Sequence, residues 1–130
     1  MNGQKILVVD DSKIEVTLLS QLLTKHGYEV LVAFDGNEAI EHVAKEKIEC
    51  IIMDIVLSKQ YNGFQLCRLF KRSQRTYHIP VILLSSKSTP LDKSWGQKQG
   101  ADFYMTKPYK SAQLVEIVER FIKATSEVYS

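Results

Sequence analysis

Three aspartates, two serines and a lysine stand where apolar runs end, and their types suit the handling of a phosphoryl group. Asp10 and Asp11 close one run, Asp54 closes the run CIIM, Ser85-Ser86 close PVILL, and Thr106-Lys107-Pro108 close DFYM. Three carboxylates brought together repel one another, so at least one should hold its proton more tightly than usual. A hard divalent cation relieves that repulsion. Mg²⁺ accepts oxygen ligands, uses few protein carboxylates and leaves positions for water or phosphate oxygens; Mn²⁺ is the other ion such a set suits. With an ammonium beside the metal to hold a phosphate oxygen, one carboxylate can attack phosphorus in line. Asp54 is the natural nucleophile, because it ends the most central run and faces the acid pair. Ser85 can hydrogen-bond the phosphoryl group after it arrives.

Such chemistry requires the runs to end on one edge, and the pattern along the chain supplies this. KILVV (5–9), EVLVA (29–33), CIIM (50–53), PVILL (80–84) and DFYMT (102–106) read as strands, the first a continuous apolar run of the kind covered on both faces. Between them lie stretches of helical period. The first opens at Ser12, with Glu15 three residues on as a capping box, and carries Val16, Leu18, Leu19, Leu22 and Leu23 before Gly27 ends it. The second follows Asp35-Gly36 with Ala39, Ile40, Val43 and Ala44. The third covers about 63–73 with Phe64, Leu66, Cys67, Leu69 and Phe70. Pro90 suits the first turn of a short fourth helix that Gly100 closes. Ser111 starts the last, with Leu114, Ile117, Val118, Phe121 and Ile122 on one face. Regular alternation implies an α/β fold, a doubly wound five-stranded parallel sheet between two layers of helices. Right-handed crossovers and strand order 2-1-3-4-5 put strands one and three side by side at the switch point, where such sheets bind ligands.

Size and composition agree with a single unit. The chain has 130 residues, within the roughly 100–200 of one domain. Residues 1–126 are expected to form it, with 127–130 a short tail and SEVYS (126–130) fraying. Seventeen basic and 15 acidic residues give a formal charge of +2, too small an excess to point to nucleic acid or an anionic membrane as partner. No run approaches the ~18 apolar residues of a membrane span, and the apolar start ends too soon for a signal peptide. Cys50 and Cys67 lie in apolar stretches and read as buried thiols. A reducing cytoplasm fits them.

Simpler roles compete for each residue. Asp10 and Asp11 could cap the first helix, but Ser12 with Glu15 already fills that place. Asp54 could belong to a turn, Lys107 to an ordinary surface, and Ser85 to a loop. Tyr104 could be a packed strand aromatic, and Trp95 is expected to be partly buried. His26, His42 and His78 share no motif. Other phosphate-handling classes are disfavoured. A dinucleotide fold needs G-x-G-x-x-G after strand one, where Asp-Asp-Ser stands. The same acids would repel a flavin phosphate, and a haloacid-dehalogenase-type phosphatase needs D-x-D there.

Taken together, VVDDS (8–12), IIMDI (51–55), PVILLSS (80–86) and TKP (106–108) resemble, in order and spacing, the two-component response-regulator receiver domain over nearly the whole chain. The resemblance implies a flavodoxin-like (CheY-like) sandwich in which Asp10 and Asp11 hold Mg²⁺, Asp11 directly. It implies that the Val56 carbonyl is a further ligand, and that Asp54 takes a phosphoryl group from a sensor histidine kinase or a small phosphodonor. It makes Ser85 the switch hydroxyl and Tyr104 the aromatic residue that moves with it, and it implies a cis bond at Lys107-Pro108. The segments 53–56 and 92–108 look most like single-domain regulators of twitching motility and pilus-dependent taxis. Such a protein is cytoplasmic and signals by contact with a downstream protein. It is a monomer or a weak dimer through the face of its fourth helix, fifth strand and fifth helix. It is a phosphoryl acceptor, at most slowly self-dephosphorylating, and not an enzyme. The chain departs from the family at Leu57-Ser58, where Met-Pro is usual, and it reaches Gly63 one residue late. A longer, less stiff loop beside the metal site is expected. The competing reading is a pseudo-receiver that docks a partner without being phosphorylated.

Overall fold

The elements follow the expected alternation: β1 (Lys5–Val9), α1 (Lys13–Lys25), β2 (Glu29–Ala33), α2 (Gly36–Lys45), β3 (Cys50–Asp54), α3 (Gly63–Arg72), β4 (Val81–Ser85), α4 (Pro90–Lys98), β5 (Phe103–Thr106) and α5 (Ser111–Tyr129). The structure, a computed structural model, describes residues 3–57, 59–87 and 89–129, the side chains of 125–129 excepted. Ser58, the residue that stands in for proline, lies outside the described residues, as does Ser130. The strands form one parallel sheet in the order β2-β1-β3-β4-β5.

Strand residues alternate between two cores, because successive side chains leave a strand on opposite faces. Ile6, Val8, Ile52, Ile82 and Leu84 pack with Val16, Leu19 and Leu23 of α1 and Leu114, Val118 and Ile122 of α5. Leu7, Val9, Ile51, Met53 and Leu83 pack with Ala39 of α2 and Leu66, Cys67 and Phe70 of α3. Burying an aliphatic side chain of this size contributes about 1.5–3 kcal/mol. The central strands β3 and β4 are buried throughout, while the edge strands β2 and β5 are only partly covered. Both cysteines are buried free thiols, and burial pushes each up to about 12.

Several local expectations hold in detail. Gly27 and Gly100 take φ of +93° and +97°, a left-handed conformation open to glycine at little cost. Pro90 stands in the first turn of α4 behind a Thr89–Asp92 capping box. Others do not hold. Leu18 and Leu69, counted in apolar faces, are exposed, whereas Trp95 is half-buried as expected. The capping box at α1 is half made. The Ser12 hydroxyl accepts from the Glu15 amide at 3.3 Å, but the Ser12 amide donates to Asp10 Oδ1 at 2.9 Å, and the Glu15 carboxylate turns elsewhere.

Candidate functional site

Register decides which side chains meet. Val9 pairs with Met53, so Asp10, the next residue of its chain, lies beside Asp54. Ser85 pairs with Thr106 across β4 and β5. Lys107 follows, its amide donating to the Ser85 carbonyl at 2.8 Å, and its bond to Pro108 is cis as the resemblance implied.

Lys107 Nζ is the hub. It donates to Asp54 Oδ2 at 2.8 Å and to Glu15 Oε1 at 2.7 Å, and lies 3.6 Å from Asp10 Oδ2. One carboxylate oxygen each from Asp10, Glu15 and Asp54 falls within 4.8 Å of the others. Asp10 and Asp54 are almost fully covered, at 5% and 11% side-chain exposure, and Lys107 is at 17%. Backbone amides fix the two buried acids, since Asp10 Oδ1 accepts from Ser12 and Asp54 Oδ1 from Val56 at 3.0 Å.

Electrostatics follow from burial. Burial pushes the Asp10 carboxyl up to about 6, and the charges of Asp54 and Glu15 act the same way, while the Ser12 amide and Lys107 pull against them. A raised acid was expected from mutual repulsion; here burial is the larger cause and the neighbouring carboxylates add to it. For Lys107, burial acts to lower the pKa, but hydrogen bonds to Asp54 and Glu15 outweigh it and hold the ammonium above its ordinary range. The donor set suits Mg²⁺. It offers hard carboxylate oxygens, a buried pair that carries excess negative charge, and an edge of the sheet open to water.

The other expected residues take different places. Asp11 is exposed and is not one of the three clustered carboxylates. Val56 is exposed, and its amide donates to Asp54 Oδ1. Ser85 is buried, its hydroxyl accepting from the Lys87 amide at 3.0 Å. The Tyr104 hydroxyl donates to the Lys87 carbonyl at 2.7 Å. Ser85 and Tyr104 therefore share one segment of backbone. Burial raises the Tyr104 pKa, against a lowering by the nearby Ser85 hydroxyl.

Glu15 is the residue that sequence reading misplaced. A signal was present, because Glu15 follows Asp11 by one helical turn in a helix that begins at the crevice. Helical side chains lean back toward the N-terminus. A groove of about 690 Å³ between α2 and α3 is lined by Ile40, Val43, Leu69 and Phe70 with Arg68 and Arg72, and none of the acids above reaches it.

The model of the response regulator receiver domain matches residues 6–119. The chain belongs to that family. Protein PilH of Pseudomonas aeruginosa is 40% identical to it over 114 residues, 88% of this chain and 93% of PilH. The chemotaxis response regulator CheY4 of Vibrio cholerae superposes with a TM-score of 0.85 at 28% identity, over 92% of this chain and 99% of that one. The receiver domain of the sensor histidine kinase PA1611 of P. aeruginosa, solved with a magnesium ion coordinated in its active-site cleft, gives 0.85 at 28% identity, over 93% and 98%. The receiver fold thus explains the crevice as the edge where β1, β3, β4 and β5 end. The described residues of the lengthened loop meet neighbouring elements at three points. Lys59, at φ +69°, donates to Asp35 Oδ2 at 3.1 Å. Tyr61 lies against Gly36, where a Cβ would come within 2.8 Å of its ring. The Gly63 amide donates to the Ile55 carbonyl at 2.8 Å.

Proposed function

We propose that this receiver accepts a phosphoryl group on Asp54 from a sensor histidine kinase and passes the signal on by contact with a downstream protein. The observation that carries this reading is the Lys107 ammonium, 2.8 Å from Asp54 Oδ2 and beside Asp10, at the open edge of the sheet. Asp54 Oδ2 forms the new P–O bond as the P–N bond of a phosphohistidine breaks. The leaving imidazole keeps the electron pair and takes a proton from water. Lys107 holds one phosphoryl oxygen, and the Ser85 hydroxyl donates to another. Asp10, Asp11, Asp54 and the Val56 carbonyl would hold Mg²⁺ or Mn²⁺. When bound, the ion supplies charge neutralisation for the incoming phosphoryl oxygens. The magnesium ion in the active-site cleft of the PA1611 receiver supports a divalent metal in this crevice.

As Ser85 turns to the phosphoryl group, it leaves the segment it shares with Tyr104, and Tyr104 moves inward. The surface of α4, β5 and α5 changes shape for the downstream protein, and self-association there is weak. Receiver domains are phosphoryl acceptors, and the acyl phosphate formed here hydrolyses slowly without making the protein an enzyme in the usual sense. Residues 1–126 act as the unit, a single-domain regulator in the cytoplasm. Likeness to PilH along 93% of that protein supports a role in pilus-dependent motility.

The test is intact mass after incubation with acetyl phosphate and Mg²⁺. The parent gains one phosphoryl group and Asp54→Ala gains none. A parent that takes up no phosphate leaves the pseudo-receiver as the better description.

A further inference from the structure

Among the site's charges, one has no part in the transfer itself. The Glu15 carboxylate reaches the crevice from α1 and takes one of the three N–H donors of Lys107 at 2.7 Å, shorter than the bond Lys107 makes to Asp54. The same residue's oxygen lies within 4.8 Å of Asp54 and Asp10. A phosphoryl group on Asp54 brings a dianion into this space, where it needs Lys107 and is repelled by Glu15. Glu15 is also the movable member of the set, 45% exposed on the helix surface against 11% for Asp54. Its side chain can swing into water, whereas Asp10 and Asp54 are held by the backbone amides of Ser12 and Val56.

We infer that Glu15 is a resting-state gate: a positioning residue that occupies Lys107 while Asp54 is unmodified and must release it before the phosphoryl group can be held. The inference rests on the phosphoryl-acceptor reading above. In the resting site, Glu15 takes a donor of an ammonium that would otherwise bond Asp54 alone, with Asp10 at 3.6 Å. In the phosphorylated site, that donor belongs to the phosphoryl oxygen, and Glu15 stands as an anion beside a dianion. The gate therefore disfavours the phosphorylated state and shortens its lifetime, without making or breaking any covalent bond. Glu15→Gln keeps size and helix propensity but removes the charge. Coulomb repulsion at this separation, discounted for half-exposure, corresponds to about a three- to ten-fold change in the level of phosphorylation.

The experiment uses acetyl phosphate at limiting concentration with Mg²⁺ on the full chain. Glu15→Gln is expected to reach a phosphorylated fraction at least three-fold higher than the parent by intact mass. The ¹⁵N-detected ammonium signal of Lys107 in the unmodified protein is expected to shift and broaden, which a merely structural role for Glu15 would not produce. Glu15→Asp keeps the charge, but one methylene fewer pulls it back from Lys107. It should move the ammonium signal as Glu15→Gln does while labelling less than Glu15→Gln. Equal or lower labelling of Glu15→Gln, with the parent labelled on Asp54, overturns the gate and leaves the acceptor reading standing; lower labelling with weaker Mg²⁺ binding would make Glu15 a metal ligand instead. Absence of label on the parent removes both.

Discussion

Asp10 carries the clearest consequence of burial at the residue scale. Its folded pKa of about 6 lies above the ordinary 3.8. The folded protein therefore favours the neutral carboxyl more than the unfolded chain does, and below about pH 6 Asp10 is mostly neutral. The sign follows from linkage. Below 3.8 the group is protonated in both states and the site is relaxed. As pH rises from 3.8 to 6, the unfolded chain releases its proton first, and stability falls. Above 6 the loss is complete. Removing the charge should restore it, so Asp10→Asn in chelator is expected to be more stable than the parent by about 1–3 kcal/mol at pH 8. The difference should shrink toward zero near pH 4. Urea titrations at the two pH values measure it. Asn also keeps an oxygen to accept from the Ser12 amide, so the start of α1 need not change.

Elements hold these side chains through a few close approaches of backbone. The start of α3 is pressed onto the end of β3 so tightly that a Cβ at Gly63 would lie 2.7 Å from Ile55 Cα and would also collide with the Asp54 carbonyl. Gly63→Ala is expected to destabilise the fold by about 1–3 kcal/mol, the usual result of overpacking. Because the displaced backbone is that of Asp54, the variant should also lose phosphoryl uptake at a pH and temperature where it remains folded. Denaturant midpoints and intact mass separate the two effects. At α4, a Cβ on Gly96 would lie 2.8 Å from Tyr104 Cδ2. Gly96→Ala should therefore displace the Tyr104 ring and break its hydrogen bond to the Lys87 carbonyl. Aromatic chemical shifts of Tyr104 would show this, and an unchanged ring environment would mean that α4 yields instead.

The whole molecule gathers negative charge at one edge of a sheet whose two faces are packed with apolar side chains. A cation that binds only the folded arrangement must stabilise it by mass action. At ten times its dissociation constant, Mg²⁺ should add about 1.4 kcal/mol. Thermal melts should rise on adding Mg²⁺ and fall back with chelator, and the rise should be smaller in Asp10→Asn, which starts with less repulsion. A melt indifferent to Mg²⁺ would argue against the metal site. Lys107 works against this repulsion at every pH below its ordinary 10.5, because its folded pKa is raised and its contribution is lost only on the alkaline side of that value.

Alternating apolar runs and helical periods were enough to order β1 to α5 and to place Asp10, Asp54, Ser85 and Lys107 at strand ends, since local hydrophobic period and parallel connection leave few arrangements. Boundaries moved by a residue, as at β4, which begins at Val81 rather than Pro80. What pattern could not reach was the choice of partner. Ser12 and Glu15 carry the letters of a capping box, and the local rule gave each to the other. In the folded chain Asp10 takes the Ser12 amide, and Lys107, distant in sequence, takes Glu15. The exposure of Leu18 and Leu69 was likewise beyond periodicity, because it depends on which neighbouring element covers a helix. Sequence determined which chemistry stands at the crevice. Tertiary structure decided which charges touch there, because a long-range ion pair in a partly buried site outweighs a local bond that water can replace.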